Sequence, residues 1–219
     1  MSLALYGHPF SSYCQKALIA LYENDTPFEF RMLAPGHEGE IEEHRALWPL
    51  GKFPVLVDGD RLVVEATIIV EHLGIYHPGA VRLLPAAPGA ALEVRMMDRL
   101  FDNYIMSPVQ KIVSDCLRSP GNRDRQGVEE ARSLLSTAYA WLESAMKGRE
   151  WAAGGAFSLA DCAAAPSLFY ADWVQPIDES CPALRDYRAR LLKRPSFARA
   201  VDEARPYRSL FPPGAPERD

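Results

Sequence analysis

Phe10-Ser11-Ser12-Tyr13-Cys14 is the stretch whose reading decides the fold of this 219-residue chain. A short alternating run, Leu3-Ala4-Leu5-Tyr6, precedes it, and Cys14, Ala17, Leu18, Leu21 and Tyr22 follow at helical spacing. The five residues therefore form a strand-to-helix turn, with Ser11 and Ser12 where the helix begins. A helix start has unpaired N–H groups and a partial positive charge. It stabilises an anion and eases the deprotonation of a thiol. Ser11 and Cys14 have the spacing of a Cys-x-x-Cys redox turn in which serine takes the first position. Serine cannot be a redox nucleophile, but it can donate a hydrogen bond to a thiolate supplied by another molecule. The plainer role for either serine is that of an N-cap.

Working outward, Asn24-Asp25-Thr26-Pro27 breaks the first helix, and Phe28, Phe30 and Met32 alternate with Glu29 and Arg31 as in a strand. A polar stretch over 34–47 includes a short helix around 41–47. Val55-Leu56-Val57 and Leu62-Val63-Val64 flank the turn Asp58-Gly59-Asp60 and form a hairpin. Ala66, Ile69, Val70 and Leu73 then repeat at helical spacing. The order β-α-β-(α)-β-β-α is that of a thioredoxin-like domain. Pro78, Gly79, Pro85, Pro88 and Gly89 mark a linker. The division is 1–77 for the first domain, 78–90 for the linker and 91–219 for an all-helical second domain, an α/β plus all-α chain.

In the second domain, Met96, Met97, Leu100, Phe101, Tyr104 and Ile105 form one stripe, resumed after Pro108 by Val109, Ile112, Val113 and Cys116. Val128, Ala131, Leu134, Leu135, Ala138, Leu142 and Ala145 mark a long amphipathic helix. Phe157-Ser158-Leu159-Ala160-Asp161 reads as a capping box: Ser158 caps and Asp161 reaches back. Two shorter helices follow near 183–192 and 197–204. The Pro-rich end from Pro212 is expected to be disordered.

Composition narrows the function. Hydrophobic residues make up 48% of the chain, enough for a substantial core, and the net charge is −5 with no basic run, which argues against a nucleic-acid partner. Cys14, Cys116, Cys162 and Cys181 are far apart and show neither metal-ligand spacing nor a disulfide framework. A reducing, cytoplasmic setting follows, with no signal peptide and no membrane span. His8 and His37 border the turn and the next loop without a second ligand at metal spacing, so no metal is expected. Cys14 lies on an apolar stripe and reads as a buried, inert thiol. Tyr6, at a strand end, reads as packing.

Four pieces in order resemble the cytosolic glutathione transferases: Leu5-Tyr6 with Ser11-Ser12-Tyr13-Cys14, Gly51-Lys52-Phe53-Pro54-Val55-Leu56-Val57, Glu65-Ala66-Thr67-Ile68-Ile69, and the capping box at Phe157 to Asp161. The resemblance covers nearly the whole chain. It implies glutathione as co-substrate, with Ser11 as the hydrogen-bond donor to its sulfur and Ser12 as the next candidate. It implies a cis bond before Pro54, with the Phe53 backbone pairing with the cysteinyl part. Glu65 and the helix start at Ala66 would hold the γ-glutamyl end, and Lys52 a carboxylate. The family often has serine where this chain has Ala66, which removes a hydroxyl contact. Phe10 and Tyr104 are expected on the substrate side. The implied partners are glutathione, a small apolar electrophile and a second copy of the chain in a homodimer. The same scaffold also serves glutathione-dependent isomerases, dehalogenases and non-catalytic binding proteins.

Overall fold

The computed structural model describes residues 3–219. Its first half is a four-stranded sheet of order β2-β1-β3-β4, with β1 at Leu3–Gly7, β2 at Phe28–Met32, β3 at Val55–Asp58 and β4 at Arg61–Val64. β1 pairs parallel to β2, with Leu5 opposite Phe30, and antiparallel to β3, with Leu5 opposite Leu56. Gly59 (φ +60°) supplies the left-handed residue that turns β3 into β4.

α1 (Ser12–Glu23) and α3 (Ala66–Tyr76) pack beside one another, while the more exposed α2 (Glu38–Leu47) starts three residues earlier than the apolar pattern suggests. Nine consecutive buried or nearly consecutive positions of α1, polar Gln15 and Lys16 among them, show that this helix is covered on all sides. α3 takes one side, and the helices Leu159–Val174 and Pro195–Ala204 of the helical half take the others.

The second half contains α4 (Pro88–Leu100), a π-helical turn at Phe101–Met106, α5 (Ser107–Cys116), α6 (Arg125–Met146), α7 (Leu159–Val174), α8 (Pro182–Leu192) and α9 (Pro195–Ala204). α4 begins at Pro88, inside the stretch read as linker, because proline suits the first turn of a helix. α7 is the hub, and all 16 of its residues are buried. At its start the Asp161 carboxylate accepts the Ser158 N–H at 2.9 Å, the Ala152 N–H at 2.9 Å and the Tyr187 hydroxyl at 2.7 Å. Among the described residues no helix is long and apolar enough to cross a membrane.

The expectation of disorder after Pro212 does not hold. Phe211 is buried against Phe10, Tyr170 and Trp173, Arg218 reaches Asp172 at 2.6 Å, and Asp219 pairs with Arg205 and Arg208. One aromatic anchor and two sets of ion pairs outweigh the proline-rich composition.

The halves are tied by a buried charge cluster. Lys16 of α1 is 1% exposed; its Nζ lies 2.5 Å from Asp98 of α4 and 2.8 Å from Asp102 of the π turn. Thr67, at the start of α3, accepts from Lys16 at 2.9 Å and donates to Asp98 at 3.0 Å. Arg99 pairs with both aspartates from the solvent side. Removing one partner of a buried pair strands the other charge, at a cost of about 3–5 kcal/mol. Lys16→Met is therefore expected to lower unfolding stability by that amount in urea titration, and adding Asp98→Asn to it should recover part of the loss. A Lys16→Met protein as stable as the parent would show that the cluster does not hold the halves together.

Candidate active site

The turn between β1 and α1 is held from three directions. Fully buried Gln15 donates to the Pro9 carbonyl at 3.0 Å, and Tyr170 of α7 donates to the Phe10 carbonyl at 2.9 Å. The Phe10 N–H donates to His8 Nδ1 at 3.1 Å, and the Ser11 N–H to the His8 carbonyl at 2.9 Å. Ser11 is the N-cap of α1, its hydroxyl accepting from the Cys14 N–H at a long 3.4 Å. That weak bond leaves the hydroxyl free to donate. Beneath the turn, a Cβ on Gly7 would approach the Cys14 sulfur to 2.5 Å, so only glycine fits there. Burial pushes the Cys14 thiol up to about 12, against hydrogen bonds from His8 and Ser11 that work the other way.

Two cavities meet at this turn. A polar cleft of about 480 Å³ is lined on the sheet side by Ser11, Lys52, Phe53, Pro54, Glu65 and Ala66. Arg99, Asp102, Asn103 and Gln110 line it on the helical side. An apolar cavity of about 290 Å³ adjoins it, walled by Phe10, Met106, Val109, Val113, Tyr170 and Phe211. Ser11, Phe53 and Gln110 line both; Ser12 lines only the apolar one.

The backbone on the cleft floor is unusual in two places. The Phe53–Pro54 peptide is cis. Glu65, the N-cap of α3, has φ +69°, a conformation that a non-glycine residue holds only where the surroundings impose it and that clusters at ligand sites. Glu65 thus stands at the open N–H groups of the α3 start, on the wall of the cleft, where an acidic residue and an anion-favouring helix end come together.

On the facing wall, burial raises the Asp102 pKa most strongly, with the charge and hydrogen bond of Lys16 opposing it. Burial also raises Tyr13 to about 12, helped by the Asp102 charge. Tyr6 lies apart, buried against His44 with ring centroids 6.3 Å apart, and lines neither cavity.

Of the residues read from the sequence, Ser11, Ser12, Phe10, Lys52, Phe53, Pro54, Glu65 and Ala66 come together here. Tyr104 does not: it is 53% exposed and lines neither cavity. The π turn widens the helix at this point, so its neighbours Asn103 and Met106 face inward in its place. Tyr13, Trp48, Arg99, Asp102, Asn103 and Gln110 were missed. A signal existed for Asp102: Asp98 and Asp102 are charges four apart within an apolar stripe, and Lys16 is a charge within the apolar face of α1.

Comparison with known proteins agrees with this geometry. Residues 5–80 match the family model for the glutathione S-transferase N-terminal domain, and residues 125–190 match that for its C-terminal domain. The chain is 28% identical to a probable maleylacetoacetate isomerase of Vibrio cholerae over 213 residues, covering 94% of this chain and 98% of that one. It is 30% identical to FtsZ-localized protein A of Caulobacter vibrioides, with 88% of each chain covered. A glutathione S-transferase from Methylobacterium radiotolerans, solved in complex with glutathione sulfonate, superposes with a TM-score of 0.78 at 29% identity, over 92% of this chain and 95% of that one. The fold and paired cavities define a two-domain protein with a thioredoxin-like first domain. The chain belongs to the glutathione S-transferase family.

The turn makes a simple prediction about cysteine chemistry. Thiolates, not thiols, react with alkylating agents. The folded protein treated with iodoacetamide at mildly alkaline pH should carry label on half-buried Cys116 and none on Cys14 or Cys162, read by peptide mass spectrometry. Labelling of Cys14 as fast as Cys116 would mean the thiol is neither buried nor inert.

Proposed function

We propose that the protein is a glutathione transferase, joining the glutathione thiolate to a small apolar electrophile. The observation that carries the reading is the position of Ser11, whose residue lines both the polar cleft and the apolar cavity. The tripeptide occupies the cleft, with its γ-glutamyl ammonium at Glu65 and its α-carboxylate at the N–H groups opening α3. The Phe53 backbone pairs with the cysteinyl unit, and Lys52 faces the glycyl carboxylate. Ala66 gives one hydrogen bond fewer than a serine there would; Asp102 and Arg99 offer charged partners from the facing wall. The sulfur then sits at Ser11, facing the apolar cavity. Its lone pair forms the C–S bond, and the electrophile's leaving group departs with the bonding pair. Four free thiols suit a reducing cytoplasm.

Two relatives frame the alternatives. The Vibrio protein named as a probable isomerase points to a reaction in which the thiolate adds and later leaves. Among the described residues no charged side chain lines the apolar cavity, which favours a neutral electrophile over an anionic maleyl compound. The Caulobacter relative is named for its localisation, which keeps a non-catalytic role as the outcome if turnover is absent.

A second copy of the chain is part of the proposal. Arg95 and Asp98 are engaged within the chain, Arg95 with Glu71 at 2.7 Å and Asp98 with Lys16. Leu92 and Met96 on α4 remain 68% and 52% exposed, and they support a homodimer through this face. Sedimentation velocity at micromolar concentration should give a dimer, and Met96→Glu should shift it toward monomer; a parent monomer refutes the pairing.

The test of the function is the ionisation of bound glutathione. A free thiol has a pKa near ~8.5. A hydrogen bond to a charged group contributes roughly 1.5–3 kcal/mol, and one pKa unit is about 1.4 kcal/mol. One serine hydroxyl thus lowers the bound thiol's pKa by about one to two units. Ser11→Ala should keep glutathione affinity, raise that pKa, and cut conjugation of a panel of neutral electrophiles about tenfold at neutral pH. Ser12→Ala should do much less. The readout is thiolate ultraviolet absorbance against pH. A Ser11→Ala curve unchanged from the parent, with Tyr13→Phe or Ser12→Ala shifted, moves the role to that residue. Glutathione binding with no turnover of any electrophile rejects the enzyme reading.

A further inference from the structure

α3 starts at the cleft and ends at a different group of side chains. Asp58 closes β3, His72 lies on the inner face of α3, and His77 is the C-cap of that helix. His72 Nε2 lies 2.9 Å from Asp58 Oδ2, and His77 Nε2 lies 2.8 Å from the same oxygen. One donor atom from each of the three residues falls within 4.8 Å of the others.

Three features set this group apart from a surface hydrogen bond. The side chains are enclosed: His72 is 8% exposed and Asp58 11%, while His77, at 30%, leaves one side open. They are also held in place. Asp58 pairs with Arg61 in the β3–β4 hairpin, and Tyr76 packs on the His72 ring with centroids 4.6 Å apart. Finally, the nearby cation does not compete, since Arg61 lies over the Tyr76 ring at 4.0 Å. One imidazole would satisfy the carboxylate oxygen, yet two converge on it.

Two imidazole nitrogens and a carboxylate oxygen are a donor set that suits zinc and its neighbours among divalent first-row metals. Zinc sits about 2.0–2.2 Å from such donors, which separates tetrahedral donors by roughly 3.3 Å. The two separations to Asp58 Oδ2 need to open by only about half an ångström. The C-terminal end of a helix also favours positive charge.

We propose that Asp58, His72 and His77 bind one divalent transition-metal ion of the zinc class, with water on the open side. The ion clamps the end of β3 to the C-terminus of α3. Asp58, His72 and His77 line neither cavity, so the ion touches nothing in the cleft and its role is structural. The proposal does not depend on the transferase reading.

The experiment uses the full chain stripped of metal with a chelator. Zinc sulfate is titrated in by calorimetry at neutral pH, thermal melting is followed with and without zinc, and cobalt(II) is added as a spectroscopic probe. The parent should bind one equivalent and melt at a higher temperature with zinc. Its cobalt form should show visible d–d bands without a thiolate charge-transfer band. His77→Gln, partly exposed and outside the helix interior, should fold normally, bind zinc about tenfold or more weakly, and lose the zinc-dependent rise in melting temperature. Asp58→Asn should do the same, whereas His37→Gln, distant from the group, should behave as the parent. No zinc uptake by the parent overturns the proposal. So does parent-like binding by His77→Gln, or a thiolate band that assigns the metal to cysteine.

Discussion

The ammonium of Lys16 fixes the width of the cleft. It sits in the middle of α1, out of contact with water, where an unpaired charge costs several kcal/mol. Among the described residues, the two aspartates of the helical half and the Thr67 hydroxyl relieve that cost. α1, the start of α3, α4 and the π turn must therefore meet at one point. These elements carry the walls of the cleft: Ser11 caps α1, Glu65 caps α3, and the π turn presents Asp102 and Asn103. A charged contact between two halves thus sets the distance between Ser11 and the surface opposite it.

The chemistry of the site follows from this placement. The N-terminus of α1 offers a partial positive charge and a hydroxyl at one spot. The redox turn of the same geometry uses a cysteine there; under the proposed function, serine turns it from an electron carrier into a hydrogen-bond donor. Cys14, the other position of that turn, lies too deep to ionise, with its pKa pushed to about 12 by burial. The carboxyl-terminal segment completes the apolar wall: Phe211 packs on Tyr170, and Tyr170 in turn holds the Phe10 carbonyl. The apolar cavity and the turn share their supports.

The first half of the chain was legible because its signals are local. Ser11, the proline at position 54 and Glu65 each sit at the start of an element whose periodicity is clean, and the short strands alternate as half-buried strands do. The helical half gave its helices but not its contribution to the site. A π turn obeys neither helical nor strand period, so Tyr104 reads as inward and is not. The spacing of Asp98 and Asp102 within an apolar stripe marks them as unusual, but nothing local says that Lys16, more than eighty residues earlier, is their partner. The tail read as loose for the same reason, since the partners of Phe211 and Arg218 are on α7.

A crystal structure with glutathione bound tests most directly the claim that Ser11 joins a peptide-binding cleft to an apolar cavity. The account predicts the tripeptide along the cleft, its sulfur in hydrogen-bond contact with Ser11 Oγ and facing the apolar cavity. Its γ-glutamyl end should lie between Glu65 and the Asp102 wall. A sulfur seated on the Tyr13 hydroxyl, or a tripeptide bound away from Glu65, would contradict it.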